Sequence, residues 1–180
     1  MSPTAQQEST QLESWITESY AMAYRTACLI TRNPADAEEA VQEAFLRAWR
    51  FREALPPGEG HRPWLYRVLV NACHSKLRTE IPRRDRSAGS TPLDELPDRA
   101  PEPDDEAVRS DRAETVREAL DDLPDHLRTV IVLRYWTGLS ERDIATAIRR
   151  RPGTVKSRLH EARRRLSDHP RVGALTVEEA

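Results

Sequence analysis

The chain is poor in the residues that most covalent chemistry needs. It has two cysteines in 180 residues, Cys28 and Cys73. There is no CxxC pair, and no cysteine–histidine cluster has the spacing of a metal site, so neither a metal nor any other cofactor is expected. Isolated thiols of this kind are expected to behave as small buried hydrophobes. Cys73 and His74 do not make a nucleophile–base pair, because neighbours on a helix point about 100° apart. No apolar run approaches the roughly 18 residues of a membrane span, so membrane insertion is not expected. The chain does not open with a basic segment followed by an apolar stretch; no signal peptide is expected, and the placement is expected to be cytoplasmic. Aromatic residues are scarce at 6%, and no strand-like alternation persists.

What the chain has in quantity is charge, at 32% of residues against 38% hydrophobic. That balance suits two small helical cores with a polar connector better than one large core. The net charge of -2 alone argues against a nucleic-acid partner, but its distribution argues for one. Residues 1–80 are nearly balanced, with nine basic and ten acidic side chains. Residues 81–123 hold seven and 13, and residues 124–180 hold 12 and seven. Charges further apart than about 8–10 Å are screened at physiological salt, so the local field decides what binds.

Helical spacing organises most of the chain. Leu12, Trp15, Ile16, Tyr20, Ala23, Tyr24, Ala27 and Leu29 predict a helix over 9–32, broken at Asn33-Pro34. A second helix runs from Pro34 to about Arg52, with Asp36, Glu38 and Glu39 complementing its N-terminal dipole. A loop at 55–62 precedes a third helix, from about Pro63 to Arg78. Five prolines and many acids make 81–105 a flexible acidic linker. Helix resumes from 106 to 120, and three more follow near 125–136, 140–149 and 152–167. The fold expected is all-α: two helical domains, 9–80 and 106–169, joined by the linker and followed by a tail at 170–180.

The sharpest local pattern lies in 140–166. Ser140 is placed to cap a short helix, with Asp143 three residues on. Ile144, Ala145 and Ile148 form its inner face, a tight connection follows at Arg149–Arg151, and Pro152 suits the start of the next helix. There Val155, Leu159, Ala162 and Leu166 make one apolar stripe, while Ser157, His160, Glu161 and Arg164 point away from it and Lys156 sits on the shoulder. Eight basic residues and one acid lie between Arg149 and Arg165. A short helix, a turn and a helix with one dry and one basic face are what reading the major groove requires. A merely solvated basic face would share the last helix's pattern, but not the combination.

The N-terminal half carries two weaker patterns. The second helix buries Ala37, Val41, Ala44, Phe45 and Ala48, with Trp49 beside them, and turns Glu39, Gln42, Glu43, Leu46 and Arg50 outward. An acidic face with a stranded leucine suits a basic protein partner as well as it suits plain solvation. The third helix buries Leu65, Val68, Leu69 and Ala72 and presents Arg67, Asn71, His74 and Arg78 opposite, behind Trp64 and Tyr66. Basic groups interleaved with aromatics suit single-stranded DNA, and also an ordinary core with a solvated face.

Together these segments resemble the extracytoplasmic-function (ECF) sigma factors of bacterial RNA polymerase. DAEEAVQEAFLRAWR at 36–50 is similar to the family's core-polymerase-binding helix, RPWLYRVLVNACHSKLR at 62–78 to its -10 element reader, and the segments 123–148 and 152–166 to its -35 element reader. The resemblance covers about 9–167. It implies a non-enzymatic promoter-recognition subunit whose partners are core RNA polymerase, through the β′ clamp helices and the β subunit, promoter DNA, and an anti-sigma factor. It places Glu39, Gln42, Glu43 and Leu46 against polymerase. It places Trp64, Arg67, Asn71, His74 and Arg78 at the -10 element, with Asn71 at a pocket for a flipped base. It places Arg149, Lys156, Ser157, Arg158, His160 and Arg164 at the -35 element. The chain departs from the family at Arg150 and Arg151, where a small capping residue is more usual, and in its Pro- and Gly-rich loop at 55–62. A helix-turn-helix regulator that does not bind polymerase is the alternative.

Overall fold

The structure, a computed structural model, describes residues 5–52, 61–79 and 106–172, and side chains for 14–52, 61–78 and 113–172. The linker, most of the loop before the third helix and the end of the tail lie outside these residues. Among the described residues the chain is helical, with no strand. It divides into two compact units, one built from the first three helices and the other from the last four.

The first unit comprises α1 (Ala5–Thr31), α2 (Pro34–Arg50) and α3 (His61–Thr79), each packed on the other two. Its core is Ala23, Ala27 and Ile30 of α1, Ala37, Val41, Ala44, Phe45 and Ala48 of α2, and Leu65, Tyr66, Leu69, Val70 and Cys73 of α3. Four alanines on α2, Ala40 included, are fully buried, and side chains that small let neighbouring helices approach closely. Trp15 meets the Phe45 ring edge-on, and Tyr20 stacks on both Tyr24 and Phe45. Trp49, which the sequence sets beside this stripe, is 42% exposed, with the Arg52 guanidinium over its ring. Helix α3 begins at His61, two residues before Pro63, and the His61 ring lies against Trp15.

The turn between α1 and α2 is tightly specified. Arg32 adopts the left-handed conformation (φ 60°) and its N–H closes onto the Cys28 carbonyl. Asn33 then caps α2: its Oδ1 accepts from the N–H groups of Ala35 (2.9 Å) and Asp36 (3.3 Å), and Pro34 opens the helix. This satisfies two donors that the first turn otherwise leaves unpaired.

The second unit comprises α4 (Glu106–Asp121), α5 (Asp125–Ile131), α6 (Glu141–Ala147) and α7 (Pro152–Ser167). Helix α5 runs on into a π-helical turn at Val132–Trp136, where Thr137 N–H reaches the Val132 carbonyl; Gly138 (φ +70°) ends it. Helices α5 and α7 pack together around Leu127, Val130, Ile131, Val155, Leu159 and Ala162. Arg128 is 0% exposed and reaches Asp125 at 2.5 Å. Behind α7 the chain returns to α4, where His169 meets Asp122 and Arg171 meets Glu118.

Candidate functional site

Helix α7 is positioned by two junctions. Ser140 caps α6 as its sequence suggests, accepting from Asp143 N–H at 3.1 Å and donating to the Asp143 carboxylate. Helix α6 buries Ile144, Ala145 and Ala147, with Ile148 half-buried. It ends on Arg149, held left-handed at φ 52°, while Arg150 N–H returns to the Ala145 carbonyl and Arg149 N–H to that of Thr146. That is the Schellman closure, with arginine where glycine is usual. Arg151 then occupies the N-cap of α7, and its side chain caps nothing.

Helix α7 shows the two faces expected of it. Val155, Leu159 and Ala162 are fully buried, whereas Lys156, Ser157, His160 and Arg164 are exposed, as are Arg149, Arg150 and Arg151 before it. Arg158 is half-buried, and both burial and the neighbouring Arg150 charge depress its pKa. Three cations of the helix are already engaged. Arg163 donates to the Tyr135 hydroxyl (2.7 Å) and lies over that ring, and Arg164 and Arg165 both bond the Glu161 carboxylate.

In the first unit the outer face of α2 exposes Glu39, Gln42 and Leu46, with Leu46 at 69%, and half-exposes Glu43. Gln42 bonds Glu38, and Glu43 bonds Arg47. Glu39 is paired across the helix interface with Lys76 of α3, which holds its carboxyl below the usual range. On α3, Asn71 and Arg78 are exposed, while Trp64, Arg67 and His74 are half-buried on the same side. Tyr66 lies in the core, so of the two aromatics only Trp64 remains at the surface.

Two family models match in the order of these units: Sigma-70 region 2 over residues 15–81 and Sigma-70 region 4 over residues 113–166. The ECF RNA polymerase sigma factor SigL of Mycobacterium tuberculosis is 35% identical over 169 residues, covering 92% of each chain. This chain belongs to the ECF sigma factors. It is thus an alternative sigma factor, of the class that directs transcription initiation. SigE of Mycolicibacterium smegmatis is 34% identical over 151 residues, 81% of this chain; the matched part spans 56% of that longer relative. Among solved structures, the sigma factor RpoE of Bartonella quintana, in complex with the anti-sigma factor NepR, aligns with a TM-score of 0.66 at 25% identity, over 87% of this chain and 96% of that one.

For a sigma factor, three features of these surfaces escaped sequence reasoning. The Glu39–Lys76 pair joins residues 37 apart on different helices, so no local spacing announces it. The Tyr135–Arg163 contact depends on the π-helical turn, which has no sequence signature in apolar periodicity. The Glu161 pairs were legible in principle, since i,i+3 and i,i+4 neighbours meet on a helix.

Proposed function

We propose that this sigma factor recruits core RNA polymerase through the outer face of α2 and reads promoter DNA with α3 and α7. Glu39, Gln42 and Glu43 steer a basic surface of the β′ clamp helices, and Leu46 supplies the apolar anchor. The β subunit is the further contact on polymerase. Trp64, Arg67, Asn71, His74 and Arg78 serve the -10 element, where an unstacked base is held against an aromatic and in a polar pocket. Arg149, Lys156, Ser157, Arg158, His160 and Arg164 serve the -35 element. The working units are 9–80 and 106–169, with 81–105 as the connector and 170–180 as a tail. No side chain performs covalent chemistry: unstacking costs a few kcal/mol per base, and aromatic contacts of about 1–3 kcal/mol per base offset it. The protein acts in the cytoplasm, and an anti-sigma factor holds it inactive, as the partner of the Bartonella relative suggests.

The observation that carries this reading is α7, which buries Val155, Leu159 and Ala162 and exposes Lys156, Ser157 and His160 behind a capped helix and tight turn. Run-off transcription with core polymerase on genomic fragments tests it. Discrete promoters are expected, with Glu39→Lys/Glu43→Lys weakening core affinity at least about tenfold in fluorescence anisotropy. Lys156→Ala is expected to weaken DNA binding evenly across sequences and lower the salt slope by about one unit. Unchanged core affinity in the charge-reversed variant removes the α2 assignment, and promoter use unaffected by His160→Ala removes that residue as a base reader.

A further inference from the structure

Glu161 is the only acid between Arg149 and Arg165. It sits on the polar side of α7, beside the exposed face that holds Ser157, His160 and Arg164. Its carboxylate takes both prongs of the Arg164 guanidinium, Nε to Oε2 at 3.1 Å and Nη2 to Oε1 at 2.9 Å. The same Oε1 accepts from Arg165 Nε at 2.7 Å, and Asp168 adds a second carboxylate 3.5 Å from Arg164. These bonds push the Glu161 carboxyl down to about 2, so it is ionised at every physiological pH. The fork that Arg164 would present to a phosphate or a guanine edge is therefore already filled by an anion of the same geometry. The first turns of α7 differ: Lys156 is exposed and makes no ion pair among the described residues, Arg150 and Arg151 are exposed just before it, and the Arg150 charge is felt at Arg158.

We propose that Glu161 is a specificity-determining brake, which keeps Arg164 and Arg165 off DNA until a correctly seated duplex displaces it. The proposal rests on the reading of α7 as the DNA-facing helix. On arbitrary sequence the open cations at the start of α7 hold the backbone, and the closed pair at its end adds nothing. At a cognate site the base contacts of the first turns bring the phosphates close enough to exchange with the Glu161 carboxylate. Each surface ion pair is weak, so the exchange is possible; two of them plus one acid facing a polyanion are enough to discriminate. The brake thus lowers non-specific affinity more than specific affinity, and the ratio of the two is what a promoter-reading protein needs.

The test uses the full chain and a short fluorescein-labelled duplex of scrambled sequence, titrated by anisotropy across a series of potassium chloride concentrations. Glu161→Gln keeps the size of the side chain and leaves the buried stripe untouched. It is expected to bind scrambled DNA about three- to tenfold more tightly, with a log–log salt slope steeper by about one to two units as Arg164 and Arg165 reach phosphates. In an Arg164→Ala/Arg165→Ala background the same substitution is expected to gain almost nothing. If the gain survives in that background, it reflects removal of a charge and the brake is overturned. Unchanged affinity and slope in Glu161→Gln overturn it as well. So does a changed preference at one base pair with scrambled-DNA affinity constant, which would make Glu161 a reader of cytosine N4. Failure of the underlying reading shows itself separately: Lys156→Ala then has no effect on wild-type DNA binding, and the brake falls with it.

Discussion

Two junctions in this sigma factor are built on one plan and finished differently. Between α1 and α2 the chain runs Arg32-Asn33-Pro34; between α6 and α7 it runs Arg149-Arg150-Arg151-Pro152. Both begin with an arginine held left-handed, at φ 60° and 52°, and both restart with proline in the first helical turn. At the first junction Asn33 caps the new helix through two N–H groups. At the second the capping position is Arg151, whose side chain makes no capping bond. In the first turn of α7 the N–H groups of Thr154 and Val155 both turn to the Arg151 carbonyl and Pro152 has none, so a positive dipole end and a run of guanidinium groups stand together without a side-chain cap. The local rule is kept at the first junction and relaxed at the one before the helix proposed to read DNA.

The first unit should also be the one sensitive to alkali, which is the largest effect expected. Burial pushes the Cys73 thiol up to about 12 and Tyr24 to about 12, both in the first unit. A group whose folded pKa is raised contributes stability that is complete below its unfolded pKa and is lost as pH climbs through the folded value. The first unit should therefore lose stability between about pH 9 and 12, by a few kcal/mol. The second unit's clearest depressed acid is Glu161, near 2, whose contribution is present above its ordinary carboxyl range and lost only as pH falls toward 2. Circular dichroism melts at rising pH should lower the first unit's transition before the second's. Thiol labelling should find Cys73 unreactive in the folded state. Rapid labelling of Cys73 at neutral pH would contradict its burial.

Next in size is the cap itself. Asn33→Ala should destabilise the first unit by about 1 kcal/mol, within the usual 0.5–2 kcal/mol for such a loss. Its denaturant midpoint should fall at constant slope, because the compactness of neither state changes. An unchanged midpoint would mean that Pro34 and the backbone alone specify the start of α2.

How far the sequence carried follows from the same physics. The helices, the break at Asn33-Pro34, the Ser140 cap and the dry stripe of α7 were legible because each rests on contacts within about four residues. The family resemblance assigned α3 and α7 to DNA and α2 to polymerase, and the matched family models show the chain's membership. Side-chain placement was less legible. The reading of Trp64 and Tyr66 stood open between core and interface, and Tyr66 lies in the core; Trp49, read beside the buried stripe, stands half out under Arg52. Helical spacing gives the direction of a side chain but not the width of the neighbouring helix face, and the four buried alanines of α2 make that face narrow. The Glu39–Lys76 pair and the buried Arg128 depend on tertiary neighbours that no spacing encodes.

Installing the missing cap makes the comparison sharper. Arg151→Asn gives α7 the residue that α2 already has, and should stabilise the second unit by about 0.5–1 kcal/mol. It should also weaken duplex binding, since one cation is lost beside the positive end of α7. If Arg151→Asn stabilises without any loss of DNA affinity, the open N-terminus of α7 has no part in binding.

The smallest expected effect separates backbone from charge. A left-handed conformation costs a side-chain-bearing residue roughly 1–2 kcal/mol, and glycine adopts it freely but surrenders more entropy on folding. Arg32→Gly and Arg149→Gly should each give a net gain of about 0.5 kcal/mol, because the two arginines hold nearly the same φ and each closes the helix behind it. For units of this size that is a rise of about 2–4 °C in Tm. The pair should part company on DNA. Arg32 lies at a junction with no proposed DNA contact, so Arg32→Gly should leave duplex affinity and its salt slope alone. Arg149 lies before the recognition helix, so Arg149→Gly should weaken binding evenly across sequences and flatten the slope by about one unit. Equal Tm gains with equal DNA binding would show that Arg149 is there only to end α6. A Tm gain at Arg32 alone would show that the second left-handed arginine is held by contacts its side chain makes, and that the two junctions are alike only in their backbone.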